Sequence, residues 1–297
     1  MRMCITRLPT HPLTQRPDFR SLEDFGSLIF YSEGIYMRDN RVKQLLSEGK
    51  AVIGSAISLP DPFVAEVIGK VGFDFLVIDT EHCPITISEL QNILIGLYPT
   101  ESVIIVRAAW NDVVMIKQIL DVGAEGIVAP WVNSAEEARR AVAAAKYPPL
   151  GIRGCGPRRA ARLSASSAEY FQKANDNILV LGQIETVQAV ENLDEILEVE
   201  GLDGIMVGPA DLACSMGYIH DMQNPAVDEM IGRILNKCKE HKVPFGMFTG
   251  TMERARKWIS HGGQIATVGS DIGFIAEGAA ATLKEINELL SQQRSKM

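Results

Sequence analysis

The segments VLGQIETVQAVENL (residues 180–193) and GIMVGPADLACSMG (204–217) share one plan, an apolar run followed by a carboxylate. Residues 178–181 and 205–207 are continuous apolar runs rather than alternating ones, the pattern of strands buried on both faces. The first run leads to Glu185 and the second to Asp211. A carboxylate is costly to bury without a partner. Two of them at the same end of neighbouring strands need a common reason.

The same plan extends outward in both directions. Strands are expected at AVIGSAI (51–57), FLVIDT (75–80), VIIVRA (103–108) and GIVAPWV (126–132), and again at ILVLGQIE (178–185), GIMVGPAD (204–211), VPFGMFT (243–249) and QIATVGSD (264–271). Helices are expected between them, each opened by a capping residue or proline. Examples are the proline near the start of PDPFVAEVIGKVG (60–72), Thr86 or Ser88, Asn111 or Asp112, and Ser134 with Glu137 three residues on, a capping box. Residues 186–199 read as one helix, and DIGFIAEGAAATLKEINELLSQQ (271–293) as a closing one. YPPLGIRGCGPRRAARLSASS (147–167) breaks the rhythm as a long loop. Strand and helix alternating eight times at this length predict an α/β protein of the (β/α)8 TIM-barrel class. A doubly wound open sheet is the alternative, but no GxGxxG opens the first helix.

Composition sets the outer bounds. The 297 residues carry a net charge of −8 and a 46% hydrophobic content, which suits a globular protein rather than a general nucleic-acid or membrane-surface binder. No apolar run reaches the ~18 residues a membrane span needs. The five cysteines, Cys4, Cys83, Cys155, Cys214 and Cys238, are scattered and form no CxxC pair. They read as reduced thiols, and the expected compartment is cytoplasmic. Residues 1–38 read as a loosely ordered N-terminal extension, and 39–297 as the catalytic barrel. The extension carries Arg2, Arg7, Arg16 and Arg20 but no apolar core of a secretory signal. A mitochondrial leader is the alternative, against which Pro9, Pro12 and Pro17 interrupt any amphipathic helix.

In a barrel of this class the C-terminal strand ends form one mouth. Those ends supply Asp79, Glu81, His82, Arg107, Trp131, Gln183, Glu185, Asp211, Ser270 and Asp271. Glu185 and Asp211 repel each other unless a proton or cation lies between them. A hard divalent ion meets that need, with Mg2+ first and Mn2+ or Co2+ close behind. The alternative is that each carboxylate caps a helix or pairs with arginine. Arg107 suits recognition of a carboxylate or a developing enolate oxygen, or a salt bridge to Asp79 or Glu81. His82 with Asp79 forms a candidate acid/base pair, against an ordinary solvated loop histidine. Arg153, Arg158, Arg159 and Arg162 of the long loop read either as a grip on a distal substrate carboxylate or as solvent-facing charge. No lysine lies in a strand or at its C-terminal end, so imine chemistry is not expected. Neither a GxxxxGK[ST] loop nor a GxSxG elbow is present.

Taken together, GFDFLVIDTEHCP (72–84), VRAAWND (106–112), KQILDVGAEGIVAPWV (117–132), YPPLGIRGCGP (147–157), QIET (183–186) and VGPADLACSMG (207–217) resemble the HpcH/HpaI aldolase family, in that family's order. The resemblance implies a (β/α)8 barrel assembled as a homohexamer, a trimer of dimers that exchange the last helix. It implies a class II aldolase that cleaves or forms a 4-hydroxy-2-oxoacid from pyruvate and an aldehyde through a metal-stabilised enolate. Carried over by motif, Glu185 and Asp211 are the metal ligands, with Zn2+ a further candidate ion. Arg107 polarises the keto oxygen, and Asp79 with His82 is the acid/base dyad. Asp121 supports that dyad, in this or a neighbouring subunit. Gln183 and the backbone at Ala210 and Asp211 position the pyruvyl group. Ala108 and Ala109 depart from the family's usual residues. An oxaloacetate decarboxylase or a carbon–carbon bond former like macrophomate synthase, a relative, needs the same motifs and is the alternative activity. A non-catalytic barrel would be expected to lack a ligand or Arg107, and this chain keeps them.

Overall fold

The computed structural model of the chain describes residues 38–157, 159–161 and 168–294. Eight parallel strands, β1 (Val52–Ile57), β2 (Phe75–Asp79), β3 (Val103–Arg107), β4 (Gly126–Ala129), β5 (Leu179–Ile184), β6 (Gly204–Val207), β7 (Phe245–Gly250) and β8 (Ile265–Ser270), bond in sequence order. β8 pairs back onto β1 through Val52↔Ile265, so the sheet closes into a barrel and the open doubly wound alternative is excluded. Most of the predicted 1–38 extension, residues 1–37, lies outside the described residues. Arg38 docks on the barrel through Glu125 and the carbonyls of Thr100 and Ser102.

Twelve helices accompany the strands among the described residues. They are α1 (Arg41–Ser47), α2 (Pro62–Gly69), α3 (Ile87–Leu97), α4 (Val113–Asp121), α5 (Ala135–Ala145), α6 (Ala168–Asn177), α7 (Val187–Glu191), α8 (Leu193–Leu197), α9 (Pro209–Ser215), α10 (Pro225–His241), α11 (Met252–Ser260) and α12 (Asp271–Arg294). Side-chain oxygens of Asp61, Thr86 and Asp112 accept the orphan amides that open α2, α3 and α4. The full capping box is at Thr86 and Glu89. At Ser134 only half of the predicted box forms, because the Glu137 carboxylate reaches one residue further back to the Asn133 amide (2.7 Å).

Two stretches differ from their sequence expectation. The helix expected over 186–199 is broken at Asn192, whose side chain instead donates to the Asn133 carbonyl (2.8 Å). The strand expected through Asp211 stops at Val207, and Pro209 opens α9. Proline at a first helical position has its φ preset and loses no helix bond there. Asp211 therefore sits in the first turn of a helix rather than on a strand.

Side chains alternate along each strand, and the packing divides accordingly. Phe75, Val77, Val103, Ile105, Val128, Leu179, Leu181, Met206 and Ile265 belong to one buried cluster, the barrel interior. Their neighbours Leu76, Ile78, Ile104, Val106, Ile127, Val180 and Ile205 join the larger layer between sheet and helices. Full burial of one such side chain contributes roughly 1.5–3 kcal/mol. A Cβ at Gly54 would collide with the Phe75 ring, so that aromatic fills the space a larger β1 residue would take.

Asp271 closes the molecule at the C-terminal rim. It is fully buried and accepts from the Ser58 hydroxyl (2.6 Å), the Ser58 amide and the Leu59 amide (2.8 Å). The start of α12 is thereby bound to the loop after β1. Beyond Asp271 no residue of α12 is buried, and Ile275, Leu283, Ile286, Leu289 and Leu290 are exposed. Among the described residues no helix is long and apolar enough to cross a membrane. Cys83, Cys155, Cys214 and Cys238 form no disulfide, and Cys4 lies outside the described residues.

Candidate active site

The alternation that fills the interior also builds the site. Two residues beyond Val77, Ile105 and Leu181 the same inward parity reaches Asp79, Arg107 and Gln183, and Glu185 follows Gln183 by two. β2 and β3 pair Asp79 directly with Arg107, so a carboxylate and a guanidinium meet side by side at the rim.

Arg107 is held from three directions. Its Nε and Nη2 donate to the two oxygens of Asp79 (3.0 and 2.7 Å), and Nη1 lies 3.3 Å from Glu81 Oε2. The Phe248 ring of β7 lies under the guanidinium, 4.8 Å from ring centroid to Cζ, a cation–π contact. Burial works against the Arg107 charge, but Asp79 and Glu81 outweigh it and hold its pKa above the usual value. Burial likewise works to raise Asp79, and Arg107 overrides it, so that carboxyl sits below the usual range. For Glu81 burial wins and the carboxyl is raised, despite Arg107.

His82 stands at the edge of this group with its side chain 57% exposed. Its backbone amide donates to Asp79 Oδ1 (3.2 Å), while its ring Nε2 lies 3.9 Å from Glu81 Oε2. The Asp79 carboxylate thus serves Arg107 and the backbone of Glu81 and His82, and Glu81 is the carboxylate beside the imidazole. The Cys83 thiol, 3.5 Å from Asp79 Oδ2, is pushed up to about 11 by burial and by that carboxylate, so it is no nucleophile at neutral pH.

Glu185 is 1% exposed. Its Oε1 accepts from the Trp131 amide (2.8 Å), and its Oε2 from Gln183 Nε2. No ion pair among the described residues involves it, and Thr186 rather than Glu185 caps α7, so neither bland alternative for this carboxylate holds. Burial pushes its pKa up to about 7, with Glu81 and Asp211 adding to the rise against the two hydrogen bonds. Gly208 makes room for it, since a Cβ there would lie 2.8 Å from Oε2. Asp211 and Ala210 follow directly in the first turn of α9.

These features fit a hard cation. Three carboxylates, Glu185, Asp211 and Glu81, bear on one another electrostatically, and Gln183 Oε1 is a buried acceptor without a hydrogen-bond donor, while Glu81 Oε2 has the Arg107 ion pair but no hydrogen bond. All the donors are oxygens, which suits Mg2+ and similar ions. Among the described residues no group of three or more His, Cys, Asp or Glu side chains is arranged to hold a metal. Mg2+ commonly takes one or two carboxylates and keeps its other positions for water and substrate, which matches Glu185 and Asp211 as the protein ligands.

Asp121 is placed elsewhere. It ends α4 at the N-terminal face of the barrel and accepts from Arg153 Nη2 (2.8 Å), so within one chain it does not meet Asp79 or His82. Arg153 is neither solvent-facing nor at the rim. It is fully buried and stacks on Tyr147 (4.6 Å) and Tyr170 (5.9 Å). Arg159 lies near Tyr98, and Arg158 and Arg162 are outside the described residues. Sequence reading assigned no role to Phe248, Gly208 or the Trp131 amide. Glu81 carried a legible signal, the same parity as Asp79.

Comparison with known proteins is consistent with this geometry. The family model described as HpcH/HpaI aldolase/citrate lyase matches residues 56–277. A 4-hydroxy-2-oxo-heptane-1,7-dioate aldolase from Escherichia coli is 40% identical over 245 residues, covering 82% of this chain and 93% of its own. A 5-keto-4-deoxy-D-glucarate aldolase from Shigella dysenteriae serotype 1 is 39% identical over 234 residues, covering 79% and 91%. A crystal structure of a family protein from Burkholderia cenocepacia J2315 superposes with a TM-score of 0.79 at 30% identity, covering 84% of this chain and 99% of that one.

Proposed function

The chain belongs to the HpcH/HpaI aldolase/citrate lyase family, and from that premise we propose how its rim works as a divalent-metal-dependent (class II) pyruvate aldolase. It is a carbon–carbon lyase of the aldolase type, acting on small 2-oxoacids. The reaction is cleavage or formation of a 4-hydroxy-2-oxoacid. The observation that carries this reading is the pairing of a rigidly held guanidinium, Arg107, with a buried carboxylate, Glu185, that has no cationic partner among the described residues.

In the cleavage direction a base takes the proton of the C4 hydroxyl and the C3–C4 bond breaks. Its electron pair passes into the C2 carbonyl and the aldehyde leaves. The resulting enolate takes a proton at C3 to give pyruvate. Glu185 and Asp211 would hold a divalent cation, Mg2+ best and Mn2+, Co2+ or Zn2+ as alternatives, which when bound supplies Lewis-acid charge at the ketoacid oxygens. Arg107 brings a fixed positive group to the oxygen that gains charge, and its clamp means no reorganisation at the moment of reaction. Gln183 and the backbone at Ala210 and Asp211 position the pyruvyl group. His82, exposed at the rim with Glu81 beside its imidazole and its backbone amide held by Asp79, carries the proton.

Asp121, on the far face, would serve the dyad of a neighbouring copy. The uncovered apolar residues of α12 support exchange of this helix between subunits of a homohexamer. Two relatives of nearly equal identity carry names with different substrates. The acceptor aldehyde is accordingly a matter of pocket shape. The test is a panel of 4-hydroxy-2-oxoacids, with oxaloacetate beside it, given to chelated and then Mg2+-reconstituted protein. Pyruvate and an aldehyde should appear only after reconstitution, and Arg107→Ala should abolish turnover. Normal rates in chelated Glu185→Gln protein would overturn the reading.

A further inference from the structure

Among the described residues, two that are not glycine have positive φ, Lys242 (58°) and Trp131 (54°). Lys242 follows the last turn of α10, an ordinary place for a left-handed residue. Trp131 ends no helix. It follows β4 by two residues at the active-site rim, and a bulky side chain in this backbone region is strained. Strain of this kind persists only where surrounding contacts impose it.

The contacts are specific. The Trp131 amide donates to Glu185 Oε1 (2.8 Å), and the next amide, Val132, donates to the Gln183 carbonyl (3.2 Å). The left-handed turn is thus where the chain leaving β4 hands one amide to the Glu185 side chain just past β5 and the next to a β5 carbonyl. The Trp131 carbonyl accepts from Asn133 Nδ2 (3.2 Å), and Asn133 in turn is bonded by Thr186 and Asn192. The indole packs against Trp110 of the loop after β3, with ring centroids 6.2 Å apart, although both rings remain about half exposed. This places an aromatic pair beside the one strained backbone that touches Glu185.

We propose that Trp131 is a positioning residue for Glu185. Its left-handed backbone aims the amide at Oε1, and the ring pair with Trp110 keeps that backbone from relaxing before a cation binds. The inference rests on the reading of Glu185 as a cation ligand. Glu185 has two oxygens, and each is fixed by one neutral N–H, from Trp131 and from Gln183. Both oxygens keep a lone pair for an ion while losing rotational freedom. Without the ring pair, the cation-free segment would settle into ordinary φ. Binding would then have to restore the strain, and affinity would fall by that amount.

Calorimetric titration of Mg2+ into the full chain tests this without reference to turnover. Trp131→Gly keeps the amide and adopts positive φ at no steric cost, so it should stay within about threefold of wild type. Trp131→Ala keeps the amide but loses the ring, and should bind about tenfold more weakly, the left-handed cost for a residue with a Cβ. Trp110→Ala should fall between the two, by roughly fivefold. Trp131→Pro removes the amide and forbids positive φ, and should lose about thirtyfold or more. Equal losses in the glycine and alanine variants would show that the side chain, not the backbone, matters, and would overturn the proposal. So would wild-type affinity in the proline variant. If wild-type protein itself binds no divalent cation, the metal reading of Glu185 fails first, which separates the two outcomes.

Discussion

Replacing Glu185 with glutamine should abolish turnover yet stabilise the cation-free chain above neutral pH. Burial and the neighbouring Glu81 and Asp211 raise the Glu185 carboxyl to about 7, against an ordinary value of 4.5. Below the ordinary value both folded and unfolded chains are protonated, and the group contributes no difference. As pH rises from there to about 7, the unfolded chain releases the proton while the folded chain retains it. Stability therefore falls across this window and stays low above it. A gap of about 2.5 pH units at 1.36 kcal/mol each gives about 3 kcal/mol at pH 8. Glutamine keeps an acceptor for the Trp131 amide without the charge, so it should recover most of that penalty. For a chain of this size the gain corresponds to roughly 6–12 °C in Tm. The assay is thermal unfolding of wild type and Glu185→Gln in chelator at pH 5 and pH 8, with and without added Mg2+. The variant should exceed wild type at pH 8, come within about 1 kcal/mol of it near pH 5, and gain nothing from Mg2+, whereas wild type should gain more from Mg2+ at pH 8. A Glu185→Gln protein less stable than wild type at pH 8 in chelator would refute the reasoning, because the carboxylate would then be satisfied as it stands.

Other expectations follow from individual contacts. Gly208→Ala puts a Cβ 2.8 Å from Glu185 Oε2, so Mg2+ affinity measured by calorimetry should fall at least about tenfold while far-UV circular dichroism is retained. Phe248→Ala removes the ring under Arg107, worth about 1–2 kcal/mol. Steady-state kinetics should show a five- to thirtyfold loss in kcat/KM, with Phe248→Tyr close to wild type. Asp271→Ala leaves the amides of Ser58 and Leu59 without their buried acceptor and should cost about 2–4 kcal/mol in denaturant unfolding, with Asp271→Asn recovering part.

The barrel was legible because its information is repetitive. Continuous apolar runs and the alternation of strand and helix are local properties, and the structure bears out all eight strands in sequence order; of the paired cap candidates it selects Thr86 over Ser88 and Asp112 over Asn111. Boundaries were less so. The break at Asn192 depends on a carbonyl 59 residues away, and α9 begins at a Gly-Pro step that also reads as a strand exit. At the site, Asp79, Arg107, Gln183 and Glu185 stood out because polar residues at inward positions of apolar strands are anomalous. Phe248 did not, since an aromatic in a strand is ordinary until its partner is seen across the barrel mouth. Trp131 was legible as a rim residue, but its amide contact to Glu185 and its left-handed backbone were not, since neither is a property of residue type. Arg153 shows the opposite error. In sequence it lay in a loop rich in glycine and arginine and read either as a grip on a distal substrate carboxylate or as solvent-facing charge. In the fold it is a buried partner of Asp121 on the face away from the rim.

The central claim is that Arg107 and a cation held at Glu185 and Asp211 stabilise the enolate of a three-carbon ketoacid. Proton NMR of pyruvate in D2O tests it most directly, because exchange of the methyl hydrogens reports enolate formation and needs no knowledge of the acceptor aldehyde. Mg2+-loaded wild-type protein should replace the methyl signal by deuterium far faster than buffer with Mg2+ alone, and chelation, Arg107→Ala or Glu185→Gln should each return exchange to that background. Background exchange by the loaded wild type with each of Mg2+, Mn2+, Co2+ and Zn2+, or undiminished exchange by Arg107→Ala, would contradict it.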